Sequence, residues 1–196
     1  MPSKKQSEKQ DKSQDAIQLL RQDHDEVRKM FEEFESADED RKFELAAEIC
    51  QALTVHSTIE EEIFYPQVRA AINAEDLMSE AEIEHDSIKQ LIERVQTGEV
   101  DEIQLTAMMK VMNEYVNHHV NEEQRKIFPR VRRAELDLEA MGRELLERKT
   151  ELESDLQDAM SDQPDELDES AGSGGQKGRS RGGMAASDDV MDDSEE

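Results

Sequence analysis

One cysteine, Cys50, and no tryptophan occur in the 196 residues of this chain. A single thiol excludes an intramolecular disulfide and any metal cluster built on thiolates. Cys50 precedes His56 by six residues and lies off its helical face, so it reads as a small buried hydrophobe rather than a redox group. Aromatic residues make up only 4%, which leaves little for a sheet. Bases are outnumbered: 24 Lys and Arg against 50 Asp and Glu give a formal net charge of −26. That balance argues against a nucleic-acid partner, which needs a basic surface, and against docking on anionic lipid. No apolar run approaches the length that spans a bilayer. The N-terminus carries Lys4, Lys5, Lys9 and Lys12 without an apolar signal core, so a cytoplasmic chain is expected.

What is plentiful is Ala, Glu, Leu, Met, Gln and Arg, a mix that favours helices. The pattern predicts a polar, disordered lead-in over 1–12 and a helical domain over 13–158. A disordered acidic, Gly/Ser-rich tail is predicted over 159–196. Helix one is predicted over 15–35 and helix two over 41–71, with Pro66 disturbing its far end. Helix three runs from the break at Asn73 to Gln96, and helix four from Val100 to Phe128, before Pro129. A fifth pattern (Leu136, Leu138, Met141, Leu145, Leu146, Leu152, Leu156) packs beside or caps the bundle, although Gly142 weakens it.

Each of the first four helices carries a histidine on its apolar stripe. The stripes are Ile17, Leu20, His24, Val27, Phe31; Ile49, Leu53, His56, Glu60, Ile63; Met78, Ala81, His85, Ile88, Ile92; and Met108, Met112, Tyr115, His119, Glu123, Ile127. The helices also repeat. His24 and His85 are 61 residues apart, while His56/His119, Glu60/Glu123 and Pro66/Pro129 are each 63 apart. HSTIEEEIFYPQV aligns with HVNEEQRKIFPRV. The fold class is therefore all-α: an up-down antiparallel four-helix bundle of two repeated helix pairs, with an additional C-terminal helix.

In H-x3-E the imidazole and carboxylate lie about 40° apart around the helix and one turn apart along it, so both reach one small volume. Two such helices, with one histidine from each of two others, supply imidazoles and carboxylates in a mixture suited to iron, manganese or zinc. The symmetric assignment is dinuclear: His24 and His56 on one metal, His85 and His119 on the other, Glu60 and Glu123 bridging. No basic residue on these stripes pairs the carboxylates, and burying them alone costs roughly several kcal/mol. Tyr115, one turn before His119, is a further candidate ligand; Glu82, one turn before His85, is a weaker one. Met108, Met112, Phe31 and Phe34 read as core that keeps the centre dry. A ferritin-like site wants Glu-x-x-His on two helices, and Glu82-x-x-His85 occurs once without an equivalent before the other histidines.

The pattern H…HxxxE…H…HxxxE, with FYP and FP after the glutamates, resembles the hemerythrin-like, HHE cation-binding domain over residues 14–135. The resemblance implies a non-haem di-iron site, two Fe per chain, used to bind O2, sense oxygen or iron, or decompose peroxide. Two departures from the oxygen carriers stand out. Their third helix carries H-x3-H, whereas Lys89 follows His85 by four; their fourth ends in H-x4-D, whereas Glu123 follows His119 by four. His118 stands five before Glu123, about 140° away on a regular helix, and reads as a surface or supporting residue. Without the fifth histidine both irons keep an open position, which favours turnover of O2 or peroxide over reversible carriage. The alternative is a non-catalytic iron or oxygen sensor, which would signal through a protein partner docked on the acidic tail, or an iron store.

Overall fold

The structure, a computed structural model, describes residues 14–98 and 100–161. The predicted lead-in and nearly all of the predicted tail lie outside those residues. No strand occurs among the described residues, and no described helix is long and apolar enough to cross a membrane. Helix α1 spans Ala16–Ser36. Asp15 starts it, its carboxylate accepting from the Gln18 amide at 2.9 Å while the Gln18 side chain returns to the Asp15 amide. Helix α2 spans Glu39–Ile59, two residues earlier than the periodicity predicts because Asp38 caps it through the Arg41 amide.

Next comes a feature that helical periodicity does not announce. Residues Glu60–Phe64 form a π-helical turn before α3 (Tyr65–Ile72) continues the same rod, and Asn73 ends it in the left-handed conformation with φ 48°. Helix α4 spans Glu75–Thr97 and α5 spans Glu102–Glu122, capped by Asp101. A second π-helical turn, Glu123–Ile127, leads into α6 (Phe128–Val131). The two wide turns are repeat-related, and each ends just before a proline, Pro66 or Pro129. A proline ring in a regular helix clashes with the carbonyl four residues back. Widening the preceding turn moves that carbonyl away, so both rods run on through their prolines. Helix α7 spans Leu138–Ser161.

Short loops make α1/α2 and α4/α5 antiparallel neighbours, α2 packs on α4 and α5, and α7 lies along α1 and α2. Two apolar clusters fill the interior. One gathers Ile17, Leu20, Phe64, Met78, Phe128 and Met141; the other gathers Phe31, Leu45, Ile49, Leu105, Met109 and Met112. Cys50 is buried in the second, and burial pushes its thiol up to about 12.

Gly142 is what docks α7. A Cβ there would stand 2.2 Å from the Gln14 carbonyl oxygen and 2.9 Å from the Ala16 amide, so only glycine permits this approach to the start of α1. Met141 and Leu145 bury beside it, whereas Leu146, part of the predicted stripe, is 53% exposed.

Candidate metal centre

Between the two apolar clusters the four stripes bring His24, His56, Glu60, His85, His119 and Glu123 together, all buried. His24 Nε2 lies 3.0 Å from His56 Nε2, and His85 Nε2 lies 3.2 Å from His119 Nε2. Glu60 stands between the two pairs. Its Oε2 is 3.3 Å from both His56 Nε2 and His85 Nε2, and 4.0 Å from His119 Nε2. Glu123 Oε2 approaches His24 Nε2 at 3.3 Å.

The opposite ring nitrogens explain the orientation. His85 Nδ1 meets Glu61 Oε1 at 2.9 Å, and His119 Nδ1 meets Glu84 Oε2 at 2.9 Å. His56 Nδ1 meets Asp23 Oδ2 at 3.4 Å, and His24 Nδ1 faces the Gln124 amide at 3.4 Å. A carboxylate at Nδ1 holds the proton there and turns the Nε2 lone pair inward. These supports obey the repeat as well: Asp23 and Glu84 precede the first histidine of each pair, and Glu61 and Gln124 follow the glutamates. That adjacency is the signal by which they can be found in the sequence. Lys89 grips Glu61 at 2.5 Å, and Lys149 of α7 grips Asp23 at 2.7 Å.

Tyr65 also reaches the centre. Its hydroxyl donates to Glu60 Oε2 at 3.3 Å and lies 3.3 Å from His85 Nε2 and 3.5 Å from His119 Nε2. On a regular helix a residue five after Glu60 points about 140° away. The π-turn, with the Tyr65 amide bonded to the Glu60 carbonyl, brings it back over the same face. Tyr115 does not reach the centre and is 46% exposed. The buried stripe of α5 (Leu105, Met108, Met109, Met112, Val116, His119, Val120) leaves it at the edge, roughly 80° from the middle. Glu82 pairs with Arg69 at 2.8 Å on the surface, and exposed His118 sits 3.2 Å from Glu84 Oε1.

Electrostatics favour a cation here. Burial, then the nearby His56 ring, lower the pKa of His24; burial also lowers that of His119 against the pull of Glu84. Burial works the same way on His85, but Glu60 and Glu61 outweigh it and lift it to about 9. Burial, reinforced by neighbouring Glu60, pushes the Glu123 carboxyl up. Burial opposes charge on Glu60 too, yet the surrounding imidazoles hold its carboxyl below its ordinary value. Glu60 Oε1 and both Glu123 oxygens are buried without a hydrogen-bond partner. Burial favours neutral His24 and His119, and their inward lone pairs, with the orphaned carboxylate oxygens, repel one another unless positive charge lies among them. Ligands about 2.0–2.2 Å from a common ion sit roughly 3 Å apart, which the observed 3.0 and 3.3 Å separations match. One ligand atom each from His24, His56 and Glu60 lies within 4.8 Å of the others, as for Glu60, His85 and His119.

Residues 15–131 match the Hemerythrin HHE cation binding domain. The chain belongs to that family. A solved structure of an HHE cation-binding domain-containing protein from Mycobacterium kansasii shares the fold, with a TM-score of 0.64 and 18% identity. The match covers 76% of this HHE chain and 93% of that one. A Nostoc protein described as a DNA nickase is 30% identical over 128 residues, 64% of this chain. The HHE chain spans 35% of that relative's length. Family membership and the His/Glu cluster together make this a cation-binding protein with a centre able to hold metal.

Proposed function

We propose that the centre holds two iron ions and acts on O2 or peroxide. Glu60, within 3.3 Å of a histidine from each pair, carries this reading, because one carboxylate placed so can serve two ions. His24 and His56 would hold one ion, His85 and His119 the other, with Glu60 and Glu123 between them and Tyr65 as a further oxygen donor. When bound, such an iron pair supplies redox chemistry towards small oxygen species. The chain's own residues do the rest. Glu61, Glu84 and Asp23 fix the imidazoles, and the Tyr65 hydroxyl holds a proton 3.3 Å from Glu60 Oε2. Val27, Leu53, Ile88, Val116 and Val120, together with Asp23 and Ser57, line a chamber of about 20 Å³ against the four imidazoles. That space is about one water in size and suits a diatomic or peroxide rather than an organic substrate.

The nicking activity named for the Nostoc relative is not carried over, since the formal charge of −26 opposes a phosphate backbone. The testing experiment is the iron-to-protein ratio after anaerobic Fe(II) loading and desalting, on the parent and on Glu60→Ala/Glu123→Ala. Two irons in the parent and few in the variant are expected, followed by O2 or peroxide consumption only in the parent. No retained iron in the parent would sink the reading.

A further inference from the structure

We infer that divalent cations load into the centre through an acidic passage between α4 and the α5–α6 rod, distinct from the chamber lined by Val27, Leu53 and Ile88. The inference rests on the metal-centre reading and concerns how the centre is filled. A small cavity of about 10 Å³ is lined there by Glu80, Glu84, Glu122, Glu123 and His119, with apolar Leu77 and Ile127 as walls. The carboxylates descend in order: Glu80 is exposed, Glu84 and Glu122 are half-buried, and Glu123 is fully buried. Acidic clusters are common on so acidic a surface. What distinguishes this one is its inner end, where both Glu123 oxygens are buried with no hydrogen-bond partner.

The other acidic groove beside the centre ends differently. It runs along α1, α2 and α7 past Glu26, Glu48 and Glu153, but its inner carboxylate, Asp23, already holds Lys149 at 2.7 Å. A cation arriving there meets an ammonium on the inner carboxylate itself; one arriving past Glu80 meets an ammonium only at the outer Glu122, and an inner carboxylate without a hydrogen-bond partner. A space of about 10 Å³ admits about one water, so an arriving ion must shed most of its hydration shell. Glu122 and Glu84 are placed to replace those waters in turn. Glu84 also spans from exposed His118, 3.2 Å away, to His119 at 2.9 Å, joining the surface to the centre. Lys126, paired with Glu122, lies on the same acidic surface, where Glu80 and Glu84 also act on its charge. Its ammonium opposes an incoming cation.

The test follows Co(II) binding to metal-free full-length chain by its visible d–d absorption, at low and high salt, together with the final Co(II)-to-protein ratio. Glu80→Gln/Glu122→Gln should load on the order of tenfold more slowly at low salt, with a flatter salt dependence, and still reach the parental ratio. Glu32→Gln/Glu35→Gln on α1 removes the same charge elsewhere and should load at the parental rate. Lys126→Gln should accelerate loading. A parental rate in the passage variant, or equal slowing in the α1 control, overturns the passage. So does a reduced final ratio, which would make the pair part of the resting site. A parent that binds no Co(II) instead removes the metal-centre reading itself.

Discussion

The two repeats deliver the same pair of imidazoles and one glutamate each, and then differ in what stands around them. In the second half, His85 and His119 rest on Glu61 and Glu84, and the Tyr65 hydroxyl lies within hydrogen-bond reach of both rings. In the first half, His24 has the Gln124 amide where His85 has Glu61. The ring of Phe128, the repeat counterpart of Tyr65, stacks on His24 with centroids 6.1 Å apart and planes 13° apart. Glu60 spans both pairs, whereas His24 is the one histidine of the four that Glu123 approaches. Helix α7 breaks the symmetry again by sending Lys149 to Asp23, while Lys89 of α4 holds Glu61. Duplication therefore supplies the inward-facing donors, and single substitutions at repeat-related positions make the halves unequal. The part of the centre around His85 and His119 is the richer in anionic support and has the Tyr65 hydroxyl beside it.

The largest expected difference lies between the glutamates. Glu60→Ala should empty both halves of iron, whereas Glu123→Ala should retain about one iron per chain; equal losses, read by metal analysis after desalting, would break the asymmetry. Next are the ring positions. Phe128→Ala should lower stability by about 3–5 kcal/mol in denaturant unfolding, as for any large buried ring, and leave the iron(III) spectrum in place. Tyr65→Phe should barely change stability but abolish a phenolate-to-iron(III) absorption band. A parent without that band would rule out Tyr65 as a ligand.

Exchanging the supports comes third. Glu61→Gln should weaken metal binding by roughly tenfold, and Gln124→Glu should strengthen it by a similar factor, because an anion at Nδ1 makes the ring a better donor. Competition with a chelator reads both, and a null result for the pair would mean that outer carboxylates do not tune this centre. The smallest effect sits far from the metal. Cys50 is buried in the first repeat where the second has half-buried Asn113. Its thiol is held neutral up to about 12 against an ordinary 9.0, so its contribution is complete below about pH 9 and fades as pH rises towards 12. Cys50→Ala should show a shallower loss of stability across that window; parallel unfolding curves would remove the thiol as the cause.

Much of this was legible in one dimension. The 61- and 63-residue offsets, the apolar stripes and the two H-x3-E pairs specify helices, their pairing and the inward histidines. Each depends on a period that a regular helix preserves. The readings that the structure changes concern departures from that period or contacts between distant segments. Tyr115 obeyed the helical step and falls at the edge of its stripe, while Tyr65 violated it and reaches the centre through a π-turn. Gly142 reads as a weak point in a helix, yet it permits the close approach of α7 to α1. Asp23, Glu61, Glu84 and Gln124 stand beside the key residues in sequence, but each supports a ring on a different helix.

The sequence by itself determined the helical class, the duplicated architecture and the His/Glu set, because residue type and spacing decide which face of a helix is apolar and what chemistry it bears. Only the tertiary structure decided which tyrosine meets the glutamate, which carboxylate spans both histidine pairs and which oxygens remain unsatisfied. Those depend on a widened turn and on packing between helices, where a rotation of about 100° per residue separates a buried donor from a solvated one.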